Sequence, residues 1–231
     1  MKIIPGVVTK IGRKVADVVS PNFAKIHTWS LHIRLLWAIF SAFTLLYAAF
    51  QKKLLPIGLS TIVSKVAFYP TFPLTALRAT GNYMTDVDDT LILGCAPFDL
   101  FGHPKRLHSM GVRGVINMCL EYEGPKQSYD NLGIMQLRLP TTDHYESSPS
   151  QLKDAVKFIE LHQKKGQKVY VHCKAGHGRA AAVALCWMAY QHPEIPPATL
   201  NAALFGKRRV RKKLFRQKNV MECISSFEYD K

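Results

Sequence analysis

One segment, residues 169–188 (VYVHCKAGHGRAAAVALCWM), constrains the fold more than any other part of the chain. It passes from a β-branched run through two glycines into an alanine-rich stretch. The run predicts a buried strand that ends at His172, and the stretch predicts a central helix over residues 180–191. Such a connection points the loop N–H groups and the positive end of the helix dipole into one small cup, which suits an anion.

The residues of this cup suit phosphate chemistry. Gly176 and Gly178 let the chain curl tightly and bring its amides close to an anion. Arg179 can grip two phosphate oxygens with its planar fork. The same donors favour the thiolate form of Cys173. The pattern predicts a cysteine that attacks phosphorus while Arg179 meets charge in the transition state. The alternative is a buried structural cysteine beside glycines that only turn the chain.

The C-terminal part of the chain predicts an α/β domain. Short apolar runs alternate with helical stretches, which favours a central, mostly parallel sheet flanked by helices. The predicted strands are residues 91–95, 114–118, 134–139 and 168–172. The predicted helices are residues 149–165, capped by Ser148, then 180–191, 198–204 and 217–227.

The N-terminal part of the chain differs from the rest in composition. Residues 35–50 (LLWAIFSAFTLLYAAF) carry no charge, and extension to Leu31 gives about the 20 residues that cross a bilayer. This predicts a membrane-associated helical segment, with a helix buried against the domain or lying flat in the interface as alternatives. Residues 1–30 are basic and poor in acidic residues, which fits a mitochondrial presequence or a membrane-surface arm. We divide the chain into 1–68, arm and anchor, and 69–231, the α/β domain.

The positive charge is concentrated. The chain has 31 Lys and Arg against 16 Asp and Glu, and residues 207–218 (KRRVRKKLFRQK) hold eight basic and no acidic residues. Each such side chain near an anionic bilayer contributes about 1 kcal/mol to the free energy of membrane binding. A solvated helix face or a nuclear localisation run are the alternatives, and nucleic acid is not expected because aromatics do not interleave the charges. The residues expected to face an anionic membrane are Lys207, Arg208, Arg209, Arg211, Lys212 and Lys213.

The five cysteines are widely spaced and form no C-x-x-C pair. Neither a zinc site nor a disulfide framework is therefore predicted. Free thiols indicate a reducing compartment. No metal and no other cofactor are expected.

The cup also resembles a known family. H-C-K-A-G-H-G-R, residues 172–179, is similar to the signature H-C-x-x-G-x-x-R of the cysteine-dependent protein tyrosine phosphatase superfamily. Its H-C-K-A-G opening, together with V-D-D-T-L-I-L-G-C-A-P-F at residues 87–98, looks most like the dual-specificity branch, especially the mitochondrial phosphatidylglycerophosphate phosphatase type. The resemblance implies that Cys173 is the nucleophile and that His172 orients the loop beneath it. The implied phosphate-binding residues are Lys174, Ala175, Gly176, His177, Gly178 and Arg179.

The family has a general acid aspartate about thirty residues before the cysteine. Asp143 lies at that distance, just after a predicted strand. It would protonate the departing alkoxide and then deprotonate the attacking water. A turn-capping role is the alternative, and Glu146 is the next carboxylate in reach. The family usually has Ser or Thr directly after the arginine, where this chain has Ala180, so we expect slower breakdown of the phosphocysteine or a substitute donor.

The resemblance, the apolar anchor and the basic run favour a membrane-anchored phosphatase acting on a phospholipid head group, phosphatidylglycerophosphate or a phosphoinositide. Lys174 and His177 are expected to add positive charge at the mouth of the loop. The alternatives are a dual-specificity phosphatase acting on phosphotyrosine, phosphoserine or phosphothreonine, and a low-turnover phosphate-binding pseudophosphatase. The mitochondrial inner membrane is the favoured location, with the endoplasmic reticulum or another cytosol-facing membrane as alternatives.

Overall fold

The computed structural model describes residues 30–79 and 82–227. The chain divides into two compact units, Met1–Lys52 and Lys53–Lys231. The arm and presequence predicted within residues 1–29 lie outside the described residues. In the first unit, α1 (Ser30–Gln51) has 22 residues, and its mean hydropathy reaches 1.8. The predicted apolar N-terminal helix is thus confirmed, and by length and composition it is suited to cross a membrane.

A five-stranded sheet forms the centre of the second unit, in the order β1-β2-β5-β3-β4. Strands β2, β5, β3 and β4 are parallel, and β1 pairs antiparallel with β2. The mostly parallel sheet is therefore confirmed, although the short edge strand β1 was not predicted because its sequence, MTD, has no apolar run. The strands are β1 (Met84–Asp86), β2 (Leu91–Gly94), β3 (Val112–Cys119), β4 (Met135–Thr141) and β5 (Lys168–His172).

Helices cover both faces of this sheet. Because successive residues of a strand point to opposite faces, Val169 and Val171 belong to one apolar core and Tyr170 to another. α5 begins with the predicted cap, since the Ser148 hydroxyl accepts from the Gln151 N–H at 3.2 Å. The helices are α3 (His103–Ser109), α4 (Lys126–Asn131), α5 (Pro149–Gln163), α6 (Arg179–Gln191), α7 (Pro197–Lys207) and α8 (Lys218–Ser226), with 3-10 turns at Asp99–Phe101 and Leu214–Arg216.

Helix α2 (Ile57–Arg78) joins the N-terminal region to the sheet domain. The division that the sequence predicted between residues 68 and 69 lies inside this helix. Phe68 and Phe72 belong to the larger core, where Phe68 stacks on Tyr122 with ring centroids 5.2 Å apart. Since α2 shares its core with the sheet, the compact units separate at Lys52–Lys53 instead.

Candidate active site

The loop between β5 and α6, residues 173–178, is here called the cysteine loop. It joins His172, the last residue of β5, to Arg179, the first residue of α6. Gly176 has a positive φ of 70°, and a Cβ atom there would lie 2.6 Å from the carbonyl oxygen of Gly94. Only glycine fits both the conformation and the space. The predicted strand, loop and helix are thus present as the sequence indicates.

Cys173 lies at the base of this loop and is 4% exposed. Its Sγ accepts a hydrogen bond from the N–H of Gly176 at 3.2 Å. Ala180 is fully buried and has no side-chain donor. A backbone amide therefore contacts the sulfur in this chain, which is the kind of substitute donor that the sequence left open.

Arg179 lies beside the loop and is held by Glu121. Nη1 and Nη2 donate to the two carboxylate oxygens of Glu121 at 2.9 and 2.7 Å, and the two side chains are 2% and 1% exposed. Nη1 also donates to the carbonyl of Thr141 at 2.7 Å. Glu121 was not predicted from the sequence. The sequence feature that indicates a role for Glu121 is its position two residues after β3, at the carboxyl edge of the parallel strands. Ligand sites of α/β proteins lie at this edge.

Asp143 lies in the same site, because its Oδ1 accepts from Arg179 Nη2 at 2.9 Å. Burial opposes ionisation of Asp143, but Arg179, then His144 and Lys174, outweigh it and hold the pKa of the carboxyl below its ordinary value. Burial likewise disfavours the charged Arg179, yet Asp143 and the other nearby anions raise the pKa of that guanidinium. The two groups therefore form a charged pair.

One donor of Arg179 is left over. Its Nε is buried and has no hydrogen-bond partner among the described residues. A phosphate that binds Nε and Nη2 would replace Asp143 at Nη2. Asp143 would then lose a cation and face an anion, and both changes raise the pKa of a carboxyl. The geometry thus allows binding itself to prepare Asp143 to carry a proton.

His172 lies beneath the loop, fully buried. Burial lowers its pKa to about 3, so the imidazole is neutral near pH 7. Its ring lies 5.8 Å from the ring of Tyr170 and 6.3 Å from that of Tyr122. The side chain is fixed by packing, and its role in orienting the loop stays a prediction.

Lys174 lies inside the site rather than at its exposed mouth, and its charge still acts on Asp143, whereas His177 is uncharged near pH 7. Lys174 is 7% exposed, donates to the Thr71 hydroxyl and lies 5.5 Å from the Phe68 ring centroid. Its ammonium is thus held under α2. Burial, followed by the charges of Arg208 and the arginines near it, lowers the pKa of His177, so that this imidazole is neutral near pH 7.

Arg208 also differs from its prediction as a membrane-facing residue, because it is 3% exposed. It lies behind the cysteine loop, where Nη2 donates to the carbonyl of Ala175 at 2.9 Å and Nε to that of Gly176 at 3.4 Å. Carbonyls that turn away from an amide cup need donors of their own, and Arg208 supplies them. Nη2 also contacts Cys95 at 3.3 Å, whose thiol pKa burial raises to about 11.

The rest of the basic run divides by position. Lys207, Arg209, Lys212 and Lys213 are exposed, and Lys207 also donates to the carbonyl of Val87. Arg211 lies against the cysteine loop, because a Cβ on Gly178 would be 3.1 Å from its guanidinium carbon. Its own N–H donates to the carbonyl of His177 at 3.0 Å. Within the described part of the chain, no hydrogen bond or ion pair is found for the Arg211 guanidinium.

Known proteins resemble this chain over most of the α/β domain. The family model described as the dual specificity phosphatase, catalytic domain, matches residues 99–228. Phosphatidylglycerophosphatase and protein-tyrosine phosphatase 1 of Homo sapiens is 34% identical over 153 residues, which cover 61% of this chain and 75% of that protein. Phosphatidylglycerophosphate phosphatase PTPMT2 of Arabidopsis thaliana is 29% identical over 170 residues, covering 71% and 72%. The matched range contains Glu121, Asp143, Cys173 and Arg179.

Solved structures share the fold. The crystal structure of PTPMT1 in complex with PI(5)P matches with a TM-score of 0.54 and 25% identity, covering 64% of this chain and 96% of that one. A further crystal structure of PTPMT1 has a TM-score of 0.52 and 27% identity, covering 64% and 95%. The α/β arrangement derived from the sequence is confirmed by these neighbours.

We expect Ala180→Ser to speed the release of a phosphate bound to Cys173. A hydroxyl at position 180 adds a second hydrogen bond to the sulfur as charge returns to it. A hydrogen bond to a charged group is worth about 1.5–3 kcal/mol, or one to two decades in rate. Stopped-flow kinetics should show a burst in the wild type, with a smaller burst and a steady rate about tenfold higher in the variant. A wild type without a burst, combined with an unchanged variant rate, would show that the Gly176 amide already suffices.

We expect Asp143→Asn to slow turnover of alkyl phosphates by on the order of 10²–10⁴-fold, which is the range of a general acid. The loss should be much smaller with p-nitrophenyl phosphate, because its leaving group hardly needs a proton. Steady-state kinetics on both substrates, with Glu146→Gln as the matched control, make the comparison. Equal losses on the two substrates would assign Asp143 a structural role through Arg179.

Proposed function

The chain belongs to the dual specificity phosphatase family, and on that premise we propose that it is a membrane-anchored phosphatase of phospholipid head groups. It is a phosphoric monoester hydrolase by family. The proposed substrates are phosphatidylglycerophosphate or a phosphoinositide. The observation that carries the proposal is the guanidinium of Arg211, which lies beside the cysteine loop and has no hydrogen bond or ion pair to the described residues. It offers a second anion site next to the first.

The proposed reaction has two steps. The Cys173 thiolate attacks phosphorus while the loop amides and Arg179 bind the non-bridging oxygens. The bond to the head-group oxygen breaks as Asp143 gives that oxygen its proton. Asp143 then takes a proton from water, which attacks phosphorus and breaks the P–S bond. Inorganic phosphate leaves, and the returning thiolate accepts the hydrogen bond of the Gly176 amide at 3.2 Å.

The second anion explains why a phospholipid fits. Phosphatidylglycerophosphate and phosphoinositides each carry a terminal phosphate monoester and the phosphodiester that joins the head group to glycerol. Arg179 would hold the monoester, and Arg211 lies against Gly178 of the same loop. An arginine fork suits a phosphodiester because it makes charge-assisted hydrogen bonds.

The similar proteins support a lipid substrate. The relatives from Homo sapiens and Arabidopsis thaliana are named as phosphatases of phosphatidylglycerophosphate, and PTPMT1 has been crystallised with PI(5)P. The apolar helix α1 would anchor the chain in the bilayer that contains such a substrate. We place this bilayer in the mitochondrial inner membrane, with the endoplasmic reticulum or another cytosol-facing membrane as the alternative.

A second candidate is dephosphorylation of proteins, since the Homo sapiens relative is also named a protein-tyrosine phosphatase. The two are separated by assaying the full chain in mixed micelles against phosphatidylglycerophosphate, a phosphoinositide and phosphotyrosine and phosphothreonine peptides. We expect kcat/KM to be highest on a phospholipid and Cys173→Ser to abolish all phosphate release. Higher kcat/KM on the peptides would favour the second candidate. Binding of phosphate without turnover would make the chain a pseudophosphatase.

We expect Arg211→Ala to lower kcat/KM on phosphatidylglycerophosphate by about one to two decades, because a charge-assisted contact is worth about 1.5–3 kcal/mol. The value for p-nitrophenyl phosphate, which has no second phosphate, should change much less. Arg211→Lys should recover part of the loss. Lys213→Ala is the matched control, since Lys213 is exposed in the same basic run. Equal losses on both substrates would mean that Arg211 supports the cysteine loop rather than the second phosphate.

A further inference from the structure

Helix α2 is apolar on two opposite sides. Its inner face packs into the catalytic domain through Val63, Ala67, Phe68 and Phe72. At 100° per residue, the opposite face is formed by residues 59, 62, 66, 69 and 73. This outer face is apolar and exposed: the exposed fractions are 41% for Leu59, 59% for Ile62, 63% for Val66 and 62% for Tyr69. An amphipathic surface helix would have polar residues there.

The charges around the outer face fit an anionic lipid surface. Residues 52–85 contain no Asp or Glu. The basic residues of the segment are exposed at its two ends and along its side, namely Lys52, Lys53, Lys65 and Arg78. Apolar side chains bordered by cations are the composition of helices that lie in the interface of an anionic membrane. A protein partner of ordinary composition would need acidic groups to match these cations.

The connection between α1 and α2 is short. Helix α1 ends at Gln51 and α2 begins at Ile57. Even fully extended, the connection spans no more than about 20 Å. If α1 is held in a bilayer, the beginning of α2 is held near the surface of the same bilayer, whichever direction the connection takes.

The inner face of α2 contacts two parts of the active site, the segment around Asp143 and the cysteine loop. Ser60 and Thr61 share hydrogen bonds with Tyr145 at 3.3 Å and Thr142 at 3.2 Å, on the two sides of Asp143. In the C-terminal half of α2, the Thr71 hydroxyl accepts a hydrogen bond from Lys174 of the cysteine loop. A surface that binds the outer face of α2 therefore lies one helix diameter from the loops, about 10 Å.

We propose that the outer face of α2 (Leu59, Ile62, Val66, Tyr69) is a membrane-binding surface that lies in the head-group region of the bilayer holding α1. Its apolar side chains enter the boundary with the acyl chains by about 5–10 Å. This places the cysteine loop and Asp143 at the level of the head groups. The membrane-binding surface is inferred from the residues of α2 and their exposure. Only its role, which is to hold the active site at a lipid substrate, rests on the proposed function.

The test measures depth directly. Val66→Cys and, as the matched control, Leu161→Cys introduce one exposed cysteine each, on α2 and on α5, where Leu161 is 46% exposed. The five native cysteines are buried, and vanadate protects Cys173 during labelling. The full chain carrying a nitroxide label is reconstituted into vesicles of phosphatidylcholine and phosphatidylglycerol. Collisions with oxygen and with a water-soluble nickel complex are then measured by electron paramagnetic resonance.

We expect the label at residue 66 to favour oxygen over nickel and the label at residue 161 to favour nickel. Equal exposure of both labels to nickel would overturn the inference, as would spin–spin broadening at residue 66 from pairing of two copies. Hydrolysis of phosphatidylglycerophosphate in the same vesicles is measured with the unlabelled wild type. Hydrolysis with a water-exposed residue 66 would refute the surface and leave the function standing. A lipid-exposed label at residue 66 without hydrolysis would support the membrane-binding surface and refute the proposed function.

Discussion

The buried ion pair between Arg179 and Glu121 is the interaction on which the site depends. Removing two charges from water is costly, and breaking such a pair by removing one partner typically costs about 3–5 kcal/mol. Here two hydrogen bonds of 2.9 and 2.7 Å join the groups. They fix the guanidinium at the carboxyl edge of the sheet and leave Nε without a hydrogen-bond partner among the described residues. Asp143, through Nη2, is positioned by the same fork.

The other buried cations of the described residues each contact an oxygen atom or the face of an aromatic ring. Lys174 has the Thr71 hydroxyl and the Phe68 ring, and Arg208 has the carbonyls behind the cysteine loop. Arg211 stands apart because its guanidinium lies beside the loop with no described partner. In a chain of net charge +15, it is this position rather than the number of cations that points to an anionic substrate with two phosphates.

Local sequence was enough to predict the cysteine loop, because a strand, two glycines and a helix fix its geometry within twenty residues. The parallel sheet and the cap of α5 also followed from local patterns. Glu121, Arg208 and Lys174 could not be placed in this way. Their partners lie 58, 32 and 103 residues away in the chain, so tertiary packing decides their positions. The sequence of the basic run predicts one membrane-facing surface, whereas the fold distributes its residues between support of the cysteine loop, the mouth of the active site and solvent.

The proposed reaction passes through a phosphocysteine, which forms when the terminal phosphate of a lipid head group is transferred to Cys173. The direct measurement is to mix the full chain in micelles with phosphatidylglycerophosphate labelled with ³²P in the terminal phosphate, stop the reaction on the millisecond scale with denaturant, and map the label by peptide mass spectrometry. We expect label on the peptide containing Cys173, which forms and decays at rates that match turnover and is absent in Cys173→Ser. Turnover of the lipid without label on Cys173, or label on Cys95 instead, would contradict it.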